Sequence, residues 1–77
     1  MKQININDKL YDLAAKYPDI IDIMDDLGFH EIKIPGMIQT AGRMVTIPDG
    51  ARMKHIEWNK IVQVFADNGF KFINEEN

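Results

Sequence analysis

Apolar residues recur along this chain at helical spacing. Leu10, Leu13, Ala14 and Tyr17 fall at i, i+3, i+4 and i+7, the mark of one buried helical face. Asn7 is placed to cap this helix and Asp8 to meet the positive end of its dipole, which predicts a helix over 8–17. Pro18 ends it, because the residue before a proline is pushed out of the α region. The same proline suits the first turn of a second helix, where its missing N–H would have no partner anyway. Ile20, Ile23, Met24 and Leu27 make the buried stripe of that helix, predicted over 18–27, with Ile21 beside them. Gly28 then takes the left-handed closing position and Phe29 folds back over the end. The clearest helix is the last, over 57–68. Trp58, Ile61, Val62 and Phe65 repeat the same spacing, and Gly69 closes it.

Between these helices the pattern is weaker. His30-Glu31-Ile32-Lys33-Ile34 alternates like a short strand. Pro35-Gly36 opens a segment, residues 37–42, that suits one or two helical turns, although Gly42 weakens it by about 1 kcal/mol relative to alanine. Thr46 with Asp49 three residues later forms a capping box around Pro48 and predicts a helix over 47–54. The arm ending Ile4-Asn5-Ile6 and the tail Phe70-Lys71-Phe72-Ile73 are both extended; they either pair as two short strands or pack on the helices. Residues 74–77 are expected to fray. The run Asp26-Leu27-Gly28-Phe29 through Ile32 echoes Asp67-Asn68-Gly69-Phe70 through Ile73, which two helices ending by the same glycine chemistry explain without a duplication.

The predicted fold is therefore all-α: a compact array of about five short helices, with a minor two-stranded pairing of the terminal arms as the variant. Leu13, Ile20, Met24, Ile61 and Phe65 are the expected core. Length allows a single domain spanning 1–77. A chain this short buries only about 60–65% of its unfolded surface, so its stability margin is narrow. There is no cysteine, and the two histidines, His30 and His55, lie far apart, so neither a disulfide nor a Cys/His zinc site supports the core. An apolar fraction of 45% must do so by packing alone.

Charge narrows the partners. The net charge is −3 and the nine basic residues never form a run, which argues against the concentrated basic stripe that nucleic acid requires. The opening Met1-Lys2-Gln3-Ile4-Asn5 lacks the apolar run of a signal peptide, and no segment suits a membrane span. A soluble cytoplasmic protein is the expectation, and association with a second copy stays open.

The chemistry-bearing residues argue against catalysis. There is no serine or cysteine, Thr46 has a capping role, and Thr40 has no histidine nearby. The five glycines are scattered singly, so phosphate and dinucleotide loops are absent. Asp19, Asp22, Asp25 and Asp26 load one helix with carboxylates; no loop wraps oxygens around a point, so they read as a solvated face and no metal is expected. His30 reads as a surface or helix-end residue and His55 as a junction residue with a capping or solvated role. Met37, Met44 and Met53 read as core filler, with an adaptable binding surface as the alternative. No enzyme activity and no cofactor are expected.

The run Lys16-Tyr17-Pro18-Asp19-Ile20-Ile21, followed by Leu27-Gly28-Phe29, resembles a small bacterial family, domain of unknown function 1858. The more specific stretch from Pro35-Gly36-Met37 through Thr40, Gly42-Arg43-Met44 and Thr46-Ile47-Pro48 to Gly50 looks like its cysteine-free branch. A related branch, associated with hybrid-cluster proteins as a redox-disulfide domain, carries a cysteine pair just after helix 2. Here that region reads Gly28-Phe29-His30-Glu31-Ile32, so the disulfide role does not carry over. The resemblance implies a helical fold and a protein partner of hemerythrin-like or PAS-type sensor kind, with no catalytic residue. It points to a non-catalytic interaction or regulatory module whose candidate contact residues are Gly36, Met37, Arg43, Met44 and Arg52. The alternative is a small-ligand or anion site in which backbone N–H groups of the 35–52 segment and Arg43 surround the ligand.

Overall fold

The computed structural model describes residues 1–74. The chain runs β1 (Lys2–Asn5), α1 (Leu10–Lys16), α2 (Asp19–Asp26), 3-10 turns at His30–Lys33 and Ala41–Arg43, α3 (Ile47–Lys54), α4 (Trp58–Asp67) and β2 (Phe70–Ile73). The two strands pair in parallel, with Lys2 opposite Phe70 and Ile4 opposite Phe72. The fold is thus α/β, with four α-helices and a two-stranded sheet joining the terminal arms, which corrects the all-α class and bears out its variant in which the arms pair. The physical reason lies in the alternation of both arms: Ile4, Phe70 and Phe72 need one common apolar surface, and pairing satisfies the backbone while they reach it.

All five expected core residues are buried, and Ile20, Ile61 and Phe65 have no exposed surface at all. Phe65 meets Phe70 edge-on at 6.0 Å and Phe72 at 4.9 Å between ring centres, while Tyr17 meets Phe70 at 5.3 Å. This aromatic cluster fastens the sheet to α1 and α4. Val62, assigned to the α4 stripe, instead stands at the surface, because Ile61 and Phe65 already fill the inward face.

Helix ends follow local chemistry closely. Phe29 N–H donates to Met24 O and Gly28 N–H to Asp25 O, both at 3.0 Å, with Gly28 at φ 112°. Gly69, at φ 85°, donates to Ala66 O at 3.0 Å. The sequence echo is therefore shared end chemistry, since the chain turns into a 3-10 turn after Phe29 and into β2 after Gly69. At the end of α3 the left-handed position falls to His55, at φ 55°, and Ile56 N–H closes the helix onto Ala51 O at 3.0 Å. The capping box forms as expected: Thr46 Oγ1 accepts from Asp49 N–H at 3.1 Å, and Asp49 Oδ2 accepts from Thr46 N–H at 3.0 Å.

Two local expectations fail. α1 starts at Leu10 because Asn7 is occupied elsewhere: its N–H donates to Asn5 Oδ1 at 2.9 Å and its amide to Asn74 Oδ1 at 3.3 Å. Leu10 N–H instead donates to Val45 O at 2.9 Å, beside a bridge between Lys9 and Thr46. His30–Lys33 forms a 3-10 turn in place of a strand, since no strand lies beside it among the described residues, and Ile32 is buried while Ile34 is exposed. Of the tail expected to fray, residues 75–77 lie outside the described residues. Among the described residues, no helix is long and apolar enough to cross a membrane.

Candidate interaction face

The segment from Ile34 to Val45 crosses the molecule between α2 and α3 as a series of tight turns. Gly36, exposed at φ 86°, reverses the chain; Met37 N–H donates to Ile34 O and Gly42 N–H to Met37 O, both at 3.0 Å. Thr40 Oγ1 donates to Gly36 O at 2.8 Å and tightens the turn. The backbone of this segment is therefore ordered by its own hydrogen bonds, with Ile38 packed against the core and Gln39, Arg43 and Met44 exposed.

The expected contact residues fall in different places. Met37 lines an apolar cleft of about 380 Å³, whose floor reaches the core at Met24 and Phe29 and whose far wall carries Met53 and Lys54 of α3. Arg43 lies outside this cleft, with its guanidinium 3.9 Å from the centre of the Tyr11 ring and its Nε donating to Gln39 O at 2.9 Å. Arg52 pairs with Asp49 and lines a separate hollow with His55 and Trp58. Met44 is 76% exposed and Met53 70% exposed, so these two are surface residues and the core-filler expectation is corrected.

Charges around the face are mostly paired. Lys54 bonds Glu31 across the mouth of the cleft, and that bond holds the Glu31 carboxyl below its usual range. Lys33 bonds Asp22 at 2.9 Å, which raises the lysine above its ordinary value, and lies 3.9 Å from Asp25. His30 Nδ1 is 2.8 Å from Asp25 Oδ1. The acidic face of α2 is therefore answered by neighbours on the following turn, and no three metal-ligating side chains converge among the described residues.

Sequence reasoning missed Tyr11 as the seat of Arg43 and the Glu31–Lys54 pair. Tyr11 offers one signal, an aromatic residue lying off the apolar stripe of its helix. The ion pair offers none, since its members are brought together only by folding.

Residues 4–62 match the family described as Domain of unknown function (DUF1858). The chain belongs to that family. The match ends within α4, so β2, which completes this DUF1858 domain by pairing with β1, lies beyond it. A crystal structure of a conserved domain protein from Streptococcus pneumoniae TIGR4 is similar over 99% of this chain and 96% of that one, with a TM-score of 0.88 at 26% identity. No curated protein matches the chain.

Proposed function

We propose that this DUF1858 domain is a non-catalytic interaction module that docks a protein partner on the face built by residues 34–54. The observation that carries the reading is the exposure of Met53 on the wall of an apolar cleft, with exposed Met44 next in the chain to Val45, which also lines it. Flexible, polarizable methionines adapt to an apolar partner at little cost, which is their use at binding surfaces. Arg43 adds a planar donor fork whose orientation is set before binding by Tyr11 and Gln39. By the family resemblance, the partner is a hemerythrin-like or PAS-type sensor, or another redox- or iron-related protein.

A second reading makes the cleft a small-ligand site, favoured by its depth down to Met24. Its volume is at the lower end of ligand pockets, which run from about 300 to 1,000 Å³. The anion version loses support, because Arg43 is seated on Tyr11 and the lining is apolar apart from Thr46 and the Glu31–Lys54 pair. Titration with indole, followed by amide shifts, separates the two: a saturable response confined to the cleft favours a ligand. Capture of a protein from cell lysate that Met53→Asp abolishes favours docking.

A further inference from the structure

We propose that the cleft beside α3 takes a free aromatic α-amino acid, its ring among the methionines and its ammonium and carboxylate on Glu31 and Lys54. The inference rests on the small-ligand reading of this cleft and not on a protein docked over Met44 and Arg43.

The interior selects an aromatic ring. Its space of about 380 Å³ is lined by the thioethers of Met24, Met37 and Met53 and by the Phe29 ring, with Met24 and Phe29 buried at the floor. Sulfur makes favourable contacts with aromatic ring edges, and the unbranched methionine chain adjusts readily to a flat group. Gly50 also lines the cleft. It lies inside α3, where glycine weakens a helix and no left-handed backbone calls for it. A Cβ at this position would stand 3.2 Å from Phe29 Cε1, so alanine, the better helix former, would press on the ring. The glycine lets Phe29 lie against the helix as part of the lining.

The rim selects a zwitterion. Among the described residues, Glu31 and Lys54 are the only charged side chains that line the cleft, and they bond each other. Neighbouring charges are engaged elsewhere: Lys33 with Asp22, His30 with Asp25 and Arg52 with Asp49. The Lys54 bond holds the Glu31 carboxyl below its usual range, so the pair is charged at neutral pH. An ammonium has three N–H donors and a carboxylate accepts at both oxygens, so each member keeps bonding capacity for a ligand. A ligand with one charge would repel one member of the pair. An α-amino acid carries both charges on a single carbon, meets the two adjacent partners together and leaves the site neutral. An exposed ion pair contributes little by itself, so its rearrangement around the ligand costs little.

Titration of the full chain with L-tryptophan, tryptamine, indolepropionate and indole, followed by amide shifts, tests this. L-tryptophan should saturate, with shifts confined to the cleft at Met37, Val45, Gly50 and Lys54. Tryptamine lacks the carboxylate and indolepropionate the ammonium, and each should bind about tenfold more weakly, the scale of one lost charge-assisted hydrogen bond. Lys54→Met, checked by circular dichroism for an intact fold, should weaken L-tryptophan by a similar factor and leave indole unchanged. If that variant fails to fold, the ligand series on the wild-type chain decides alone. Equal affinity across the four compounds overturns the proposal while the small-ligand reading of the cleft stands. Tighter binding of L-leucine than of L-tryptophan overturns the aromatic assignment. No saturable response to any of these compounds overturns both the proposal and the small-ligand reading.

Discussion

Arg43 lies across the face of Tyr11, 3.9 Å from the ring centre, although the two residues belong to segments far apart in sequence. The contact joins the turn segment to α1 and holds the guanidinium fork in one orientation. Together with the bond from Nε to Gln39 O, it leaves the remaining donors of the fork directed outward. An exposed cation–π contact contributes about 0.5–1 kcal/mol. A double-mutant cycle of Tyr11→Leu and Arg43→Ala in urea unfolding should return a coupling of that size. A coupling indistinguishable from zero would show that the stacked orientation has no energetic basis.

Phe65 joins α4 to both phenylalanines of β2 and has no exposed surface. Phe65→Ala removes most of that ring packing, and such changes cost about 3–5 kcal/mol. Against a stability at the lower end of the usual range of about 5–15 kcal/mol, expected for so short a chain, this removes most of the margin. Loss of the cooperative thermal transition, or a steep fall in its midpoint, is the expected result.

How much of this was legible in the sequence depends on whether the determining contacts are local. Apolar spacing located α1, α2 and α4, and Thr46 with Asp49 located α3, because those signals act within a few residues. The start of α1 was misplaced because Asn7 spends its groups on Asn5 and Asn74, a tertiary arrangement. Alternation at 30–34 suggested a strand, yet a strand requires a neighbour that the fold does not supply. Met44 and Met53 carry the same apolar label as Met24, and only the turn geometry decides which are buried. The expected contact residues lie close together in sequence, but Met37 faces the cleft, Arg52 a separate hollow and Arg43 the Tyr11 ring.

The left-handed helix ends predict opposite responses to substitution. Gly28→Ala should destabilise, because alanine is strained at φ 112°, even though its Cβ would lie at an ordinary 3.7 Å from Ile56 Cδ1. His55→Gly should stabilise, since a non-glycine residue in this region costs about 1–2 kcal/mol, partly offset by the freer unfolded chain. Thermal melts of both variants test the assignment. A lower midpoint for His55→Gly would count against it.

Acid should loosen α3 first. Bonding from the Thr46 backbone N–H, followed by the Thr46 side chain and the charge of Arg52, holds the Asp49 carboxyl below its usual range. A carboxyl with a depressed folded-state pKa adds stability above its unfolded value and loses it as pH falls through the folded value. Wild type should therefore lose stability at pH values below the ordinary carboxylate range, and Asp49→Asn should flatten that part of the curve. Thr46→Ala should cost about 1 kcal/mol at neutral pH through the lost cap. Identical acid profiles for wild type and Asp49→Asn would remove the cap from the explanation.

The central claim, that the 34–54 face docks a protein, is tested most directly by co-purification from a native cell lysate with tagged wild-type chain and two variants. Truncating an interface arginine can cost about 2 kcal/mol or more in binding, about thirty-fold in affinity, while surface changes move stability by only about 0.5 kcal/mol. Arg43→Ala should keep its helical circular dichroism and lose most of the co-purifying protein. The Asp22→Asn/Asp26→Asn double variant on α2 should retain it. Retention by Arg43→Ala with loss by the acidic double variant would place the working surface on α2 and contradict the account.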